Sequence, residues 1–210
     1  MKTFIICNGE ITDYKYCQNL IEKGDFIICA DGGTRHAYNM KLLPNLIMGD
    51  LDSSQISYIE YYKNKGVEII KYPKDKDKTD THICVLHALE FSSQIILLGA
   101  LGSRLDHSLA NISLLKLGFK KNVPISIEDY QNQVFIIQDN IKIKGKPGEF
   151  FSLLPLTDTV EGILVKGAQY ELLDAEMSIG NPFGISNVFY DEEVFISIKK
   201  GYLIIIKSKD

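Results

Sequence analysis

The stretch Leu46-Ile47-Met48-Gly49-Asp50-Leu51-Asp52-Ser53 decides how this chain is read. Three apolar residues make a short strand, and two aspartates two residues apart follow it directly. A strand ending in acid-x-acid at the edge of a parallel sheet aims two carboxylates at one point. Hard divalent cations such as Mg²⁺ favour carboxylate oxygens in that arrangement and carry substrate phosphates there. Three comparable settings occur: Asp31 after the run 26–30, Asp77 and Asp80 after 67–70, and Asp106 after 95–99. Four acidic strand ends in succession describe a site rather than a coincidence.

Working outward, residues 1–130 alternate between short apolar runs and helical patterns. Strand candidates fall at 3–7, 26–30, 45–48, 67–71, 94–99 and 123–128. Between them, apolar residues recur at three-to-four spacing over 12–24, 34–42, 54–64, 79–91 and 105–118. Ser53 or Ser54 can cap the third helix, and Thr79 or Asp80 the fourth. Such alternation predicts an α/β domain with a mostly parallel sheet flanked by helices. Beyond about residue 130 short β runs follow one another, at 133–137, 141–144, 150–155, 159–165, 170–172, 194–199 and 202–207. Turn signals such as Lys146-Pro147-Gly148 separate them. These describe a small all-β sandwich or barrel. The expected organisation is an α/β domain over 1–130 and an all-β domain over 131–210.

Hydrophobic content of 45% and charged content of 24% are those of an ordinary soluble globular protein. A formal charge of −4 gives no electrostatic footprint for nucleic acid or an anionic membrane, so neither is expected as a partner. No run approaches the ~20 apolar residues of a membrane span, and the apolar stretch after Met1 is too short for a signal peptide. Cysteines 7, 17, 29 and 84 are scattered, with no CxxC pair; free thiols and a cytoplasmic location are expected. There is no GxxxxGK(S/T), no GxGxxG after the first strand, no GxSxG elbow and no HExxH. What remains is carboxylate-and-metal chemistry on a phosphorylated substrate.

In open α/β sheets ligands bind outside the carboxyl ends of the strands, where every acidic spot above is expected. Gly32 and Gly33, after Asp31, allow close backbone approach to phosphate at a helix start. In Gly99-Ala100-Leu101-Gly102-Ser103-Arg104-Leu105-Asp106-His107 the glycines open a loop. Arg104 can fork onto phosphate oxygens there, and Asp106 can reach a metal or an attacking hydroxyl. Asn111 shares a helical face with His107. The plainer alternatives are a surface ion pair for Arg104, a helix-terminal acid for Asp106, and a solvated charge run for the lysines between 71 and 80.

At these residues the sequence resembles the bacterial type of thiamin pyrophosphokinase. The matching elements are Asp31-Gly32-Gly33, Pro44 with Gly49-Asp50-Leu51-Asp52-Ser53, Lys78-Thr79-Asp80, the segment Gly99 to His107, and Gly184-Ile185-Ser186-Asn187. They occur in the right order over nearly the whole chain. The resemblance implies transfer of the pyrophosphoryl group of ATP to the hydroxyl of thiamin, giving thiamin diphosphate and AMP, with Mg²⁺ as cofactor. It also implies a homodimer with the thiamin site at the subunit interface. Position by position, it places Asp50, Asp52, Asp80 and Asp106 at a Mg²⁺-linked catalytic centre with Arg104 on phosphate. Asp31, Gly32 and Gly33 would border the nucleotide, supported by Asn111. Ser186 and Asn187 would line the thiamin pocket, with Phe189 stacking there, and either Asp106 or Asp80 would orient or deprotonate the alcohol. The chain departs from the family pattern at Gln169, where a basic residue is frequent, and at Ser103, in place of a glycine. Open alternatives are another acceptor alcohol such as a hydroxymethylpterin, a Mg²⁺-dependent phosphohydrolase, and a non-catalytic nucleotide- or thiamin-binding sensor.

Overall fold

Runs of alternating inward-facing apolar residues set up two different architectures along the chain. The computed structural model describes residues 1–181 and 183–209, and the chain divides into two compact units, Met1–Tyr130 and Gln131–Asp210. The first runs β1 (Lys2–Ile6), α1 (Tyr14–Leu20), β2 (Phe26–Ala30), α2 (Thr34–Asn39), β3 (Leu46–Gly49) and α3 (Ile56–Asn64). It continues with β4 (Glu68–Lys71), α4 (Asp80–Ala88), β5 (Gln94–Leu98), α5 (Leu105–Leu114) and β6 (Ile125–Glu128).

The strands of this unit pair in the order β6-β5-β1-β2-β3-β4, every pair parallel. Phe4, Ile6, Cys29, Ile47 and Leu98 pack with Cys17 of α1, Ala37 of α2 and Tyr62 of α3. The alternate residues Ile5, Ile28, Met48 and Leu97 are buried as completely. Both faces of the sheet are therefore covered, as a parallel sheet requires, and α4 lies against β1, β2 and β3. All carboxyl ends of the strands consequently emerge on one edge.

The second unit contains β7 (Asn132–Ile137), β8 (Asn140–Lys144), β9 (Phe150–Pro155), β10 (Thr159–Lys166), β11 (Leu172–Ser178), β12 (Asn187–Val188), β13 (Glu193–Ser197) and β14 (Leu203–Ser208). They form two antiparallel arrays, β12-β9-β14-β7 and β11-β10-β13-β8. Phe151, Leu153 and Leu203 from the first meet Val160, Met177 and Ile196 from the second in one core. This is a sandwich.

Three local features differ from the sequence expectation. The fifth helix ends at Leu114 and tightens into a 3-10 segment, Leu115–Lys121, closed by left-handed Asn122. The strand expected at 170–172 forms at Leu172–Ser178 instead; Asp174, Ala175 and Glu176 are poor strand formers, and pairing with β10 overrides them. Gln55, not Ser53 or Ser54, precedes α3, without a side-chain cap. By contrast, Thr79 does cap α4, its Oγ1 accepting from His82 N at 3.2 Å.

Phe151 has no exposed surface and meets Phe189 edge-on, with 5.2 Å between ring centroids. Phe151→Ala is expected to cost about 3–5 kcal/mol of unfolding free energy in a urea titration. A loss under about 1 kcal/mol would mean that the core closes over the hole.

Candidate active site

The end of β3 passes unusually close to the end of β2. Gly49 has φ +154°, and a Cβ on it would lie 2.9 Å from the Cβ of Asp31. Glycine is the residue that permits this approach. Asp31 itself is buried in a left-handed conformation (φ +44°), where its Oδ2 accepts from Ser53 N at 3.2 Å and its Oδ1 from Ser54 Oγ at 3.1 Å.

In an extended strand Asp50 and Asp52 would point the same way. Leu51 prevents it: at φ +66° it reverses the chain between them, and Asp52 N donates to Asp50 Oδ1 at 3.1 Å in a tight turn. Asp50 is left nearly buried, while Asp52 is half exposed and pairs with Lys74. Asp80, in the first turn of α4, completes the arrangement. One carboxylate oxygen each from Asp31, Asp50 and Asp80 lies within 4.8 Å of the others. The expected set of Asp50, Asp52, Asp80 and Asp106 is thus revised: the structure gathers Asp31 with Asp50 and Asp80, and the turn at Leu51 carries Asp52 away.

Lys76 sits among these acids. Its Nζ donates to Asp50 Oδ2 at 2.9 Å and to the Pro73 carbonyl at 3.2 Å, and lies 3.1 Å from Asp80 Oδ1. The hydrogen bond from Lys76 lowers the Asp50 pKa, whereas burial raises that of Asp80 despite the same lysine. Burial also works to lower the Lys76 pKa, but the attraction of the Asp50 and Asp80 carboxylates outweighs it and the net shift is upward. Asp80 Oδ1 is buried and, although at ion-pair distance from Lys76, accepts no aligned hydrogen bond. Three converging hard oxygens, one of them under-coordinated, fit a divalent cation of the Mg²⁺ type.

The acids line an open cleft of about 640 Å³ whose other walls are the loop Asn8 to Glu10, the segment from Lys74 to Thr81 and the loop Ala100 to Arg104. The two loops are laced together: Gly9 N donates to Gly99 O and Glu10 N to Leu101 O, both at 2.7 Å, and Ser103 N donates to Glu10 Oε1 at 3.1 Å. Asn111 lines the cleft but is buried, its Nδ2 donating to Ala100 O at 2.7 Å, so it braces the loop. Cys7 also lines it, yet burial pushes its thiol up to about 12, which leaves no thiolate nucleophile.

Arg104 faces the cleft and forks onto Asp106, its Nε and terminal nitrogen reaching the two carboxylate oxygens at 3.1 and 2.5 Å. Asp106 is exposed and does not line the cleft; its place as the first-turn acid of α5 matches the plainer reading. Gly32 and Gly33 are likewise absent from the walls. Cβ atoms there would meet the Asn8 side chain at 2.4 Å and the Ile6 carbonyl oxygen at 2.0 Å, so these glycines serve packing against β1. Two residues escaped the sequence reading, Lys76 and Glu10; Arg35, one of only two arginines in the chain, also lines the cleft, its guanidinium donating to the Asn8 and Gly9 carbonyls at 3.0 and 2.8 Å.

In the second unit, Asn187 is buried and engaged with backbone. Its Nδ2 donates to Tyr170 O at 2.8 Å, and its Oδ1 accepts from Tyr170 N at 3.1 Å and Val188 N at 2.9 Å. Ser186 is exposed, with φ +57°.

Two family models match the chain: the catalytic domain of thiamin pyrophosphokinase over residues 17–127, and the vitamin B1 binding domain of thiamin pyrophosphokinase over 138–203. The chain belongs to the thiamin pyrophosphokinase family. The thiamine pyrophosphokinase of Bacillus subtilis is 30% identical over 87% of this chain and 87% of its own. Its crystal structure superposes with a TM-score of 0.90 over the whole of both chains, at 25% identity. That of Geobacillus thermodenitrificans does so with a TM-score of 0.87, at 26% identity, over 100% of this chain and 98% of the other. The catalytic-domain match of the thiamin pyrophosphokinase family contains Asp31, Asp50 and Asp80; the B1-binding match contains Ser186, Asn187 and Phe189. Phe189 requires a correction: it is 1% exposed, packed on Phe151 and under the Lys207 ammonium, and so presents no face for stacking on a ligand.

Arg104 holds the Asp106 carboxyl down at about 2, against 3.8 ordinarily. The folded state therefore binds this proton later than the unfolded chain does. The stabilisation is complete above pH 3.8 and is lost as pH falls through about 2. Arg104→Ala is expected to return Asp106 to about 3.9 in a carboxyl ¹³C NMR titration; an unmoved curve would assign the depression to another group.

Proposed function

We propose that the chain is a thiamin pyrophosphokinase, transferring the β- and γ-phosphates of ATP as one unit to the thiamin hydroxyl and releasing AMP. The observation that carries this reading is the convergence of Asp31, Asp50 and Asp80 within 4.8 Å in the cleft of a member of this family. These three residues would hold Mg²⁺, which when bound supplies neutralisation of charge on the transferring phosphates.

The hydroxyl oxygen forms a bond to the β-phosphorus as the bond from that phosphorus to the bridging oxygen of the α-phosphate breaks. The hydroxyl proton passes to a carboxylate. Asp80 is better suited to this than Asp106, because it lines the cleft and Asp106 does not. Arg104, which faces the cleft, would orient phosphate oxygens. For thiamin, exposed Ser186 is the contact residue we favour, presented by buried Asn187.

A homodimer in which a second subunit completes the thiamin pocket, and a cytoplasmic location where ATP is supplied, belong to the same proposal. Among the described residues no helix is long and apolar enough to cross a membrane, and Cys7, Cys17, Cys29 and Cys84 are free and buried.

Incubation with ATP, Mg²⁺ and thiamin should yield thiamin diphosphate and AMP in equal amounts. Asp50→Asn and Asp80→Asn should each lower turnover about a hundredfold or more with circular dichroism unchanged. Product formed equally well from a hydroxymethylpterin, phosphate released without acceptor, or thiamin bound without turnover would each replace this reading with one of its alternatives.

A further inference from the structure

Lys76 differs from every other lysine in its segment. Its side chain is 14% exposed, against 83% for Lys74 two residues away. It reaches Asp50 and Asp80 from the segment 72–79, which forms neither helix nor strand between the end of β4 and the start of α4. Of the three clustered carboxylates, this ammonium meets two, those of Asp50 and Asp80. The oxygens it takes from Asp50 and Asp80 belong to the same two residues that would bind a divalent cation. A monovalent ammonium and a divalent ion cannot share them, because at about 4 Å two such cations repel strongly even in a partly screened site.

We propose that Lys76 is an exchangeable counter-ion of the acidic centre: it neutralises Asp50 and Asp80 until a divalent cation takes their oxygens, and then pairs with the nucleotide phosphates. The flexible four-carbon stem of lysine suits such a transfer. The turn that bears it lines the same cleft as Arg104, so the new anionic partner lies within the cavity that Lys76 already faces. This inference rests on the reading of Asp31, Asp50 and Asp80 as a divalent-cation site for ATP.

The test is calorimetric, on the full chain, with Mn²⁺ as the metal probe and no nucleotide, followed by ATP with Mg²⁺ and no thiamin. Lys76→Met should bind Mn²⁺ about tenfold more tightly than the native chain and ATP about tenfold more weakly, two opposed shifts that general loosening of the loop would not produce. Lys76→Arg keeps the charge and grips carboxylates by a fork, so it should bind Mn²⁺ more weakly than native; it carries the decision if Lys76→Met fails to fold. Mn²⁺ affinity no higher in Lys76→Met, both affinities moving in one direction, or Lys76→Arg matching or exceeding native overturns the exchange. Asp50→Asn is the separate control: native Mn²⁺ affinity in that variant removes the metal site itself, whatever Lys76 does.

Discussion

Three carboxylates held within 4.8 Å of one another repel, and much of the surrounding structure exists to keep them there. At about 4 Å and an effective dielectric near 20, one like-charged pair costs on the order of 4 kcal/mol. Each acid answers this differently. Asp31 spends both oxygens on Ser53 N and Ser54 Oγ. Asp50 is held by Lys76. Asp80 has the start of α4 behind it, where a negative charge is favoured, yet burial still raises its pKa. Gly49 is required because the end of β3 must run against Asp31 for the group to form at all.

The parallel order of the first unit was readable because every strand there is a short apolar run with a helix between it and the next. The same reading located Asp31 and Asp50 at strand ends and Asp80 in the connection after β4, since a doubly covered sheet leaves only its carboxyl edge for ligands. Asp52 was misplaced because acid-x-acid was read with the period of a strand. The left-handed turn at Leu51 has no signature in a leucine, a residue that rarely adopts it. Lys76 was lost in a charge run, where composition cannot separate one inward ammonium from its solvated neighbours; the separation comes from the tertiary position of Asp50 and Asp80.

The segment after Gly184 makes a similar point about the second unit. Ser186, Asn187 and Phe189 are near neighbours in sequence, but only Ser186 faces outward. Asn187 closes three hydrogen bonds around Tyr170 and Val188, and Phe189 fills the core against Phe151. A short motif thus mixes one exposed residue with two that are built into the structure beneath it. Side-chain chemistry alone cannot sort them, since an aromatic ring is equally fit for stacking on a ligand and for packing a sandwich.

A lysine seated among the acids proposed to hold a metal also has a consequence for the order of events in the cleft. While Lys76 holds Asp50 and Asp80, a bare divalent ion must expel an ammonium into solvent, and the two bonds lost are set against those gained. A metal arriving with a nucleotide brings a polyphosphate that can accept the displaced ammonium, so the same bonds are exchanged rather than forfeited. The coupling is reciprocal: whatever the phosphate contributes by receiving Lys76, the metal gains in affinity. A cleft built this way discriminates in favour of the metal–nucleotide complex over either component alone, and it does so with a single flexible side chain whose first partner is the site it vacates.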